Sequence, residues 1–319
     1  MRAQRILIIC SAALVAGSVP ALAGAGSILE QAYDLSADRS SEVQYFVMTS
    51  KLMSYALDGT RLGADTMRLR LKCVPTTVGG RKVDQYTCTD FTIEFADGSE
   101  VSVAAVRNWT YDFKHTVTGM NEKGEVLGID HSRFENLTDT DGKPIRADKA
   151  YHVYNAFIDF HAFCDVFARP ISGGGKGIQD LKRLGDRIVH AAAGSEPPVN
   201  LGSNVAEGST FKNGEVTLMF KGLGAVDGAA CAIVAYDSGE SSFKMVATPT
   251  PNMEIRSVGS SHYQGDLYID LASRWVKKAT MYELVVAETK LPMPPHKINA
   301  VIEREMLIRN VTEQEFSAK

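Results

Sequence analysis

MEIRSVGSSHYQGDLYIDL (residues 253–271), WVKKATMYELVVAET (275–289) and INAVIEREMLIRNV (298–311) follow one another near the C-terminus, with short polar turns between them. In GDLYIDL, Leu267, Ile269 and Leu271 point one way and Asp266, Tyr268 and Asp270 the other, the two-residue period of a half-buried strand. Ala272 and Ser273 then permit a tight reversal. The next run sets Val276, Thr280, Tyr282, Leu284 and Val286 on one face, and the last repeats the pattern with Ile298, Ile302, Met306 and Ile308. The stretch from Met253 to Val311 therefore reads as an antiparallel meander, and a sheet with one apolar face must bury that face against something.

Working outward, strand-like segments 215–222 and 229–236 lead through Tyr236-Asp237-Ser238-Gly239 to FKMVAT and the meander. Residues 195–214, rich in Ser, Pro, Gly and Asn, read as a linker. In the N-terminal half, segments 43–50, 52–58, 65–74, 86–96, 99–107, 109–118 and 125–132 carry strand-forming residues. They are punctuated by Asp58-Gly59, Gly79-Gly80, Asp97-Gly98 and Lys123-Gly124, the punctuation of β-hairpins. Residues 27–38 read as a short helix or a loosely held arm.

The middle changes period. Between Asp148 and Arg169, Val153, Phe157, Phe160, Cys164 and Phe167 recur at helical intervals, with Asn155, Asp159, Ala162, Asp165 and Arg169 opposite. Asp148 suits an N-cap and Pro170 a stop. A strand reading stays open, since Ile158, Phe160, Ala162, Cys164 and Val166 also alternate. A second helix is expected over 178–193, after the glycines 173–175 and ending near Gly194. The expected class is mainly β (α+β), with curved antiparallel sheets or a half-barrel and two central helices packed against them. The expected order is a leader (1–23), a β-rich half (24–147), a helical segment (148–194), the linker (195–214) and the meander half (215–319).

The leader expectation rests on Arg2 and Arg5, an apolar core from Ile6 to Val19, and Ala21-Leu22-Ala23 before Gly24, the anatomy of a cleaved signal peptide. The apolar core is shorter than the ~20 residues that span a bilayer. Cleavage after Ala23 implies a periplasmic or secreted protein with no membrane-spanning segment left. It takes 34 basic and 38 acidic residues to 32 and 38, a net charge near −6, and nucleic acid is a poor partner for that balance.

Cys73, Cys88, Cys164 and Cys231 remain, an even number that favours disulfides in an exported chain. Cys73 ends MRLRLKC and Cys88 begins a strand across a Gly79-Gly80 turn, which suggests Cys73 with Cys88 and leaves Cys164 with Cys231, or with both of the latter as buried thiols.

Site motifs are sparse. Ser172-Gly-Gly-Gly-Lys176-Gly177 fails the P-loop pattern, with Gly177 where Ser or Thr should hold magnesium, and reads as a connector. Asp139-Thr-Asp141-Gly142 followed by Asp148 resembles part of a calcium loop, but Leu137 sits where the first ligand belongs, so a polar turn is expected. The seven histidines lack zinc-protease spacing and no C-x-x-C pair occurs, so no metal and no cofactor is expected. His152, Asp159 and His161 cannot all face one way from one helix. Gly259-Ser-Ser-His262-Tyr263, read as a hairpin loop with Asp266 nearby, is the loop best endowed for chemistry.

The GDLYIDL strand, the Ala272-Ser273 reversal, KKATMYELVV and the final MLIRNV strand resemble the curved antiparallel sheets of periplasmic lipoprotein-carrier-like proteins over about the last fifth of the chain. The resemblance implies a concave sheet partly covered by helices; the central section and the cysteines depart from a simple carrier. Aromatics crowd the middle helix, and the expected ligand-binding residues are Tyr154, Phe157, His161, His262 and Tyr263. The resulting expectation is a non-enzymatic exported protein binding a hydrophobic or lipid-like small molecule, or an envelope protein, on its curved sheet. The alternatives are a structural or interaction module of the cell envelope, and a hydrolase using the 259–266 loop.

Overall fold

The computed structural model describes residues 31–113, 129–145, 147–171, 175–192, 194–195, 205–250 and 253–318. The expected signal peptide, His115, the Lys123-Gly124 turn, Ser172 to Gly174, most of the expected linker and the side chain of Asp148 lie outside them.

The chain forms β1 (Gln44–Tyr55), β2 (Arg61–Val78), β3 (Arg81–Glu94), β4 (Glu100–Ser102) and β5 (Trp109–Phe113), then α1 (Ala147–His161). After α1 come β6 (Arg187–His190), β7 (Gly194–Ser195), β8 (Thr210–Lys212), β9 (Val216–Val226), β10 (Ala229–Asp237) and β11 (Ser241–Thr250). The meander is β12 (Met253–Asp270), β13 (Val276–Lys290) and β14 (Lys297–Val311), followed by the short α2 (Glu313–Ser317). All pairings are antiparallel within one open sheet of order β4-β3-β2-β1-β14-β13-β12-β10-β9-β6. The first strand pairs with the last, Tyr45 opposite Val311, so the N-terminal hairpins continue the C-terminal meander. Residues 43–50 and 52–58, expected as two strands, are the single β1.

β12 is long enough to serve two partners along one edge. Its C-terminal part pairs with β10, Leu267 opposite Val234, and its N-terminal part with β11, Gly259 opposite Phe243. The sheet forks there. At the fork Gly214 approaches the Glu240 and Ser238 carbonyls so closely that a Cβ would meet them at 2.6 and 2.7 Å.

One face of the sheet carries the core. Phe46 on β1, Phe91 on β3, Phe220 on β9, Tyr236 on β10, Ile269 on β12 and Ile308 on β14 share one buried cluster with the apolar residues of α1 and its extension. From α1, Phe157 stacks on Phe91 at 6.1 Å and Phe160 meets Phe46 edge-on at 5.2 Å. α1 ends at His161, and the chain continues as a wider π-helical turn, Ala162–Val166, with Phe167 N–H donating to the Ala162 carbonyl. The side expected to be polar is buried as well: Asp165 is fully enclosed, and Asp159 meets Arg304 of β14, which also holds Glu283 of β13 at 2.7 Å.

The expected second central helix is absent from the described residues. Ile178–Asp180 is a single 3-10 turn, and Gly185 at φ +87° with the Asp186 carboxylate accepting from the Lys182 and Arg183 N–H groups makes a turn. Arg187 to His190 then pairs with β9 as a strand, Ile188 inward and Val189 outward. The glycine and its Asp cap interrupt what composition alone reads as an amphipathic run.

No disulfide is present among the described residues; Cys73, Cys88, Cys164 and Cys231 are buried thiols. A bulge after Arg70 sets Cys88 opposite Leu71 and Cys73 opposite Tyr86. The two cysteines are thus diagonal neighbours, at a spacing of about 7–8 Å that exceeds the reach of a disulfide. Cys164 lies in the core on the α1 side, whereas Ala232, Val234 and Tyr236 take the core-facing positions of β10 and turn Cys231 to the other face. The sheet itself separates that second pair.

Candidate functional site

Along β12 and β13 the core takes Gly265, Leu267, Met281 and Ala279, so alternation turns the residues between them to the opposite, outer face. Three cross-strand rows follow from the register: Ser260, Val286, Val301 and Tyr55; His262, Leu284, Glu303 and Met53; Gln264, Tyr282, Glu305 and Lys51. Large apolar groups in these rows are open, with Tyr282 37% exposed, Leu284 39%, Val286 45%, and Val258, diagonal to Val286, 46%. Four such side chains on adjoining strands form a patch rather than the scattered apolar residues that any surface carries.

The patch borders a trough of about 810 Å³, where Tyr282 forms part of the wall. Alternation again selects the lining: Thr217, Met219 and Lys221 of β9, Ala235 and Asp237 of β10, and Gln264 and Asp266 of β12. Lys221 Nζ donates to both oxygens of Asp266 at 3.0 Å. Asp237 accepts from Gly239 N–H at 2.8 Å and lies 3.0 Å from His262 Nε2. Partial burial pushes the Asp237 carboxyl up, but the Gly239 N–H and His262 outweigh it and hold it below the usual range. Mixed polar pairs beside an open apolar patch can receive a molecule with a polar end and a hydrocarbon body.

The five expected ligand-binding residues do not converge. Tyr154, Phe157 and His161 are core side chains, at most 4% exposed. His262 and Tyr263 lie inside β12, not in a hairpin loop, and face opposite sides of the sheet. His262 reaches the trough through Asp237, whereas Tyr263 turns inward, stacks on Tyr236 at 5.7 Å and donates to Asn213. The same alternation puts Ser261, buried, on the face away from His262, so the two cannot act as nucleophile and base. Of the trough residues, Asp266 is the one the sequence marks, beside His262; Lys221 and Thr217 carry no such signal, because each is an ordinary polar position of an alternating strand.

His161 belongs to a second, enclosed arrangement. Its Nδ1 lies 2.8 Å from Asp165 Oδ2, and its Nε2 lies 2.7 Å from the Tyr111 hydroxyl. Tyr86 O–H donates to Asp165 at 3.0 Å, and Arg39 and Arg169 donate to it at 2.8 and 3.1 Å. Burial lowers His161 and keeps it neutral. Burial alone would raise Asp165, but the His161 hydrogen bond and the Arg39 charge reverse that and hold it ionised. An ionised Asp165 can only accept, which puts the imidazole proton on Nδ1 and makes Tyr111 the donor to Nε2. The cluster locks the π-helical turn to β3, β5 and the N-terminal arm.

The Asp139 carboxylate accepts from Asp141 and Lys143 N–H groups in a polar turn, and no group of three His, Cys, Asp or Glu residues fit for a metal occurs among the described residues. No helix there is long and apolar enough to cross a membrane.

No protein-family model and no curated protein matches the chain. Among solved structures it is similar to the crystal structure of Pseudomonas aeruginosa OccK2 (OpdF) in complex with glucuronate, over 86% of this chain and 100% of that one, at 5% identity and a TM-score of 0.23. At that TM-score the likeness carries no argument about fold or function.

Proposed function

We propose that the protein is an exported, non-enzymatic binder that carries a lipid-like amphiphile on the outer face of a curved sheet. The observation behind this reading is the open patch of Val258, Tyr282, Leu284 and Val286 running into the 810 Å³ trough. The hydrocarbon body lies along the patch and the polar end meets Lys221, Asp266 and Asp237. Export is supported by the leader anatomy of residues 1–23, and carriage by the resemblance of the meander to periplasmic lipoprotein-carrier-like proteins. The aromatic helix serves as core in this reading, so the ligand sits on the sheet face away from it.

Native mass spectrometry of protein purified without detergent, followed by organic extraction, tests the proposal. A co-purifying amphiphile that Leu284→Glu and Val286→Glu both remove, with the thermal midpoint unchanged, is the expected result. Bare wild-type protein that also fails to take up a fluorescent fatty acyl probe would overturn it.

A further inference from the structure

Three arginines from three separate segments line a second pocket, of about 270 Å³, on the α1 side of the sheet. Arg39 comes from the arm before β1, Arg169 follows the π-helical turn, and Arg274 stands in the β12–β13 turn. Leu35, Ile171, Ile178 and Ile269 supply apolar walls.

The three arginines are not equally partnered. Arg39 and Arg169 share Asp165 and Asp84 at the deep end. Arg274 donates to the Leu271 carbonyl and has no carboxylate partner in hydrogen-bond contact among the described residues. Of the nearby acids, Asp38 pairs with Lys82 at 3.1 Å, and the exposed Asp34 accepts from both Ser36 N–H and Oγ–H. Asp34 still lies within electrostatic reach of Arg274, so what Arg274 lacks is a direct acceptor for its side chain and not a counter-charge.

Two donors are left over. Among the described residues the Nε–H groups of Arg39 and Arg274 are buried with no acceptor, and the Arg39 side chain is only 8% exposed, its guanidinium fixed 4.4 Å above the Trp275 ring. A buried charged donor without an acceptor is unfavourable. Arg274 also holds φ at +64°, where glycine or asparagine is the easier residue. A glycine there would make the turn and leave the pocket without its third cation.

We propose that this pocket binds a small monocarboxylate with a short apolar body, its oxygens accepting from Arg39 and Arg274 and its chain lying against Ile171, Ile178 and Ile269. A carboxylate supplies the acceptor oxygens that the two Nε–H groups lack. The volume falls just below that of drug-sized sites, about 300–1,000 Å³, which admits a molecule the size of hexanoate and excludes a diacyl lipid. This site is separate from the outer-face patch and lies across the sheet from it.

The test is calorimetric titration of the purified protein with hexanoate, with hexanol and inorganic phosphate as comparisons at constant ionic strength. Saturable one-to-one binding of hexanoate is expected, at least tenfold tighter than hexanol and not displaced by phosphate. Arg274→Gly, which suits the backbone at that position, should weaken hexanoate at least tenfold, and Leu284→Glu should leave it unchanged. Absence of saturable hexanoate binding overturns the proposal, as does equal binding of hexanol, displacement by phosphate, or undiminished binding in Arg274→Gly. The hexanol comparison uses wild-type protein and so does not depend on the variant folding.

Discussion

Replacing Asp165 by Asn removes one charge and one acceptor oxygen from a fully buried position while keeping the shape of the side chain. In the wild type that carboxylate accepts from His161, Tyr86, Arg39 and Arg169 at 2.8–3.1 Å. The amide turns one acceptor into a donor facing donors, and leaves Asp84 alone against two guanidinium groups. Removing one partner of a buried ion cluster costs about 3–5 kcal/mol, because the remaining charges stay desolvated. For a chain of this size that corresponds to a fall in thermal midpoint of order 10 °C. Asp38→Asn is the control: its partner Lys82 and Asp38 itself are both 86% exposed, and no measurable change is expected. Scanning calorimetry with a parallel urea titration reads both variants. A midpoint within about 1 °C of wild type for Asp165→Asn would refute the assignment of a buried, ionised Asp165.

Three further outcomes follow from the same side chains. His161 and Asp165 both have folded-state pKa values below their ordinary ones, so their stabilisation is full above about pH 6.5 and declines as pH falls below it, with Asp165 adding a loss below about 3.9; urea midpoints at pH 8, 6 and 5 that stay level would contradict this. Burial pushes the Cys73, Cys88 and Cys164 thiols far up, so a thiol reagent should leave them unlabelled in the native protein and label all three in denaturant without prior reduction. Arg304→Met strands Asp159 and Glu283 together between α1 and the sheet and should destabilise by about 3–5 kcal/mol, whereas adding Asp159→Leu and Glu283→Met should recover most of the loss.

Local chemistry made much of this fold legible. Asp58-Gly59, Gly79-Gly80 and Asp97-Gly98 each close a hairpin, with Gly59, Gly80 and Gly98 at φ near +80°, because a backbone that must turn there tolerates few other residues. The aromatic spacing from Val153 to Phe160 marked α1 for a similar reason. The enclosed cluster was not legible, because Arg39, Tyr86, Asp165 and Arg169 meet only after β3, the arm and the π-helical turn have been brought together. Asp165 looked solvent-facing by helical period, and one widened turn carried it inward. The break at Gly185 was visible as a glycine but not as the start of a strand, since β6 is specified by its pairing with β9.

The outer-face patch was hidden by a subtler effect. Read from Val276, the β13 alternation groups that residue with Thr280, Tyr282, Leu284 and Val286, and the natural inference is that this set is buried. In the structure Val276 and Ala279 are both buried although three residues apart, and the register slips between the Tyr268–Lys278 and Ile269–Val276 pairs. One extra residue in β13 therefore exchanges the two faces beyond it, as a slip of one must when side chains alternate with period two. Downstream of the bulge the inward set becomes Met281, Glu283 and Val285, and its charge is met by Arg304. The more apolar set is sent outward, where Leu284 and Val286 stay 39% and 45% exposed. Had alternation run unbroken from Val276, Leu284 would lie under α1 and Glu283 would face water, and neither the ion pair with Arg304 nor the open patch would exist. The bulge at Lys277 thus sets both the charged clamp that holds α1 and the apolar surface on which the proposed ligand lies.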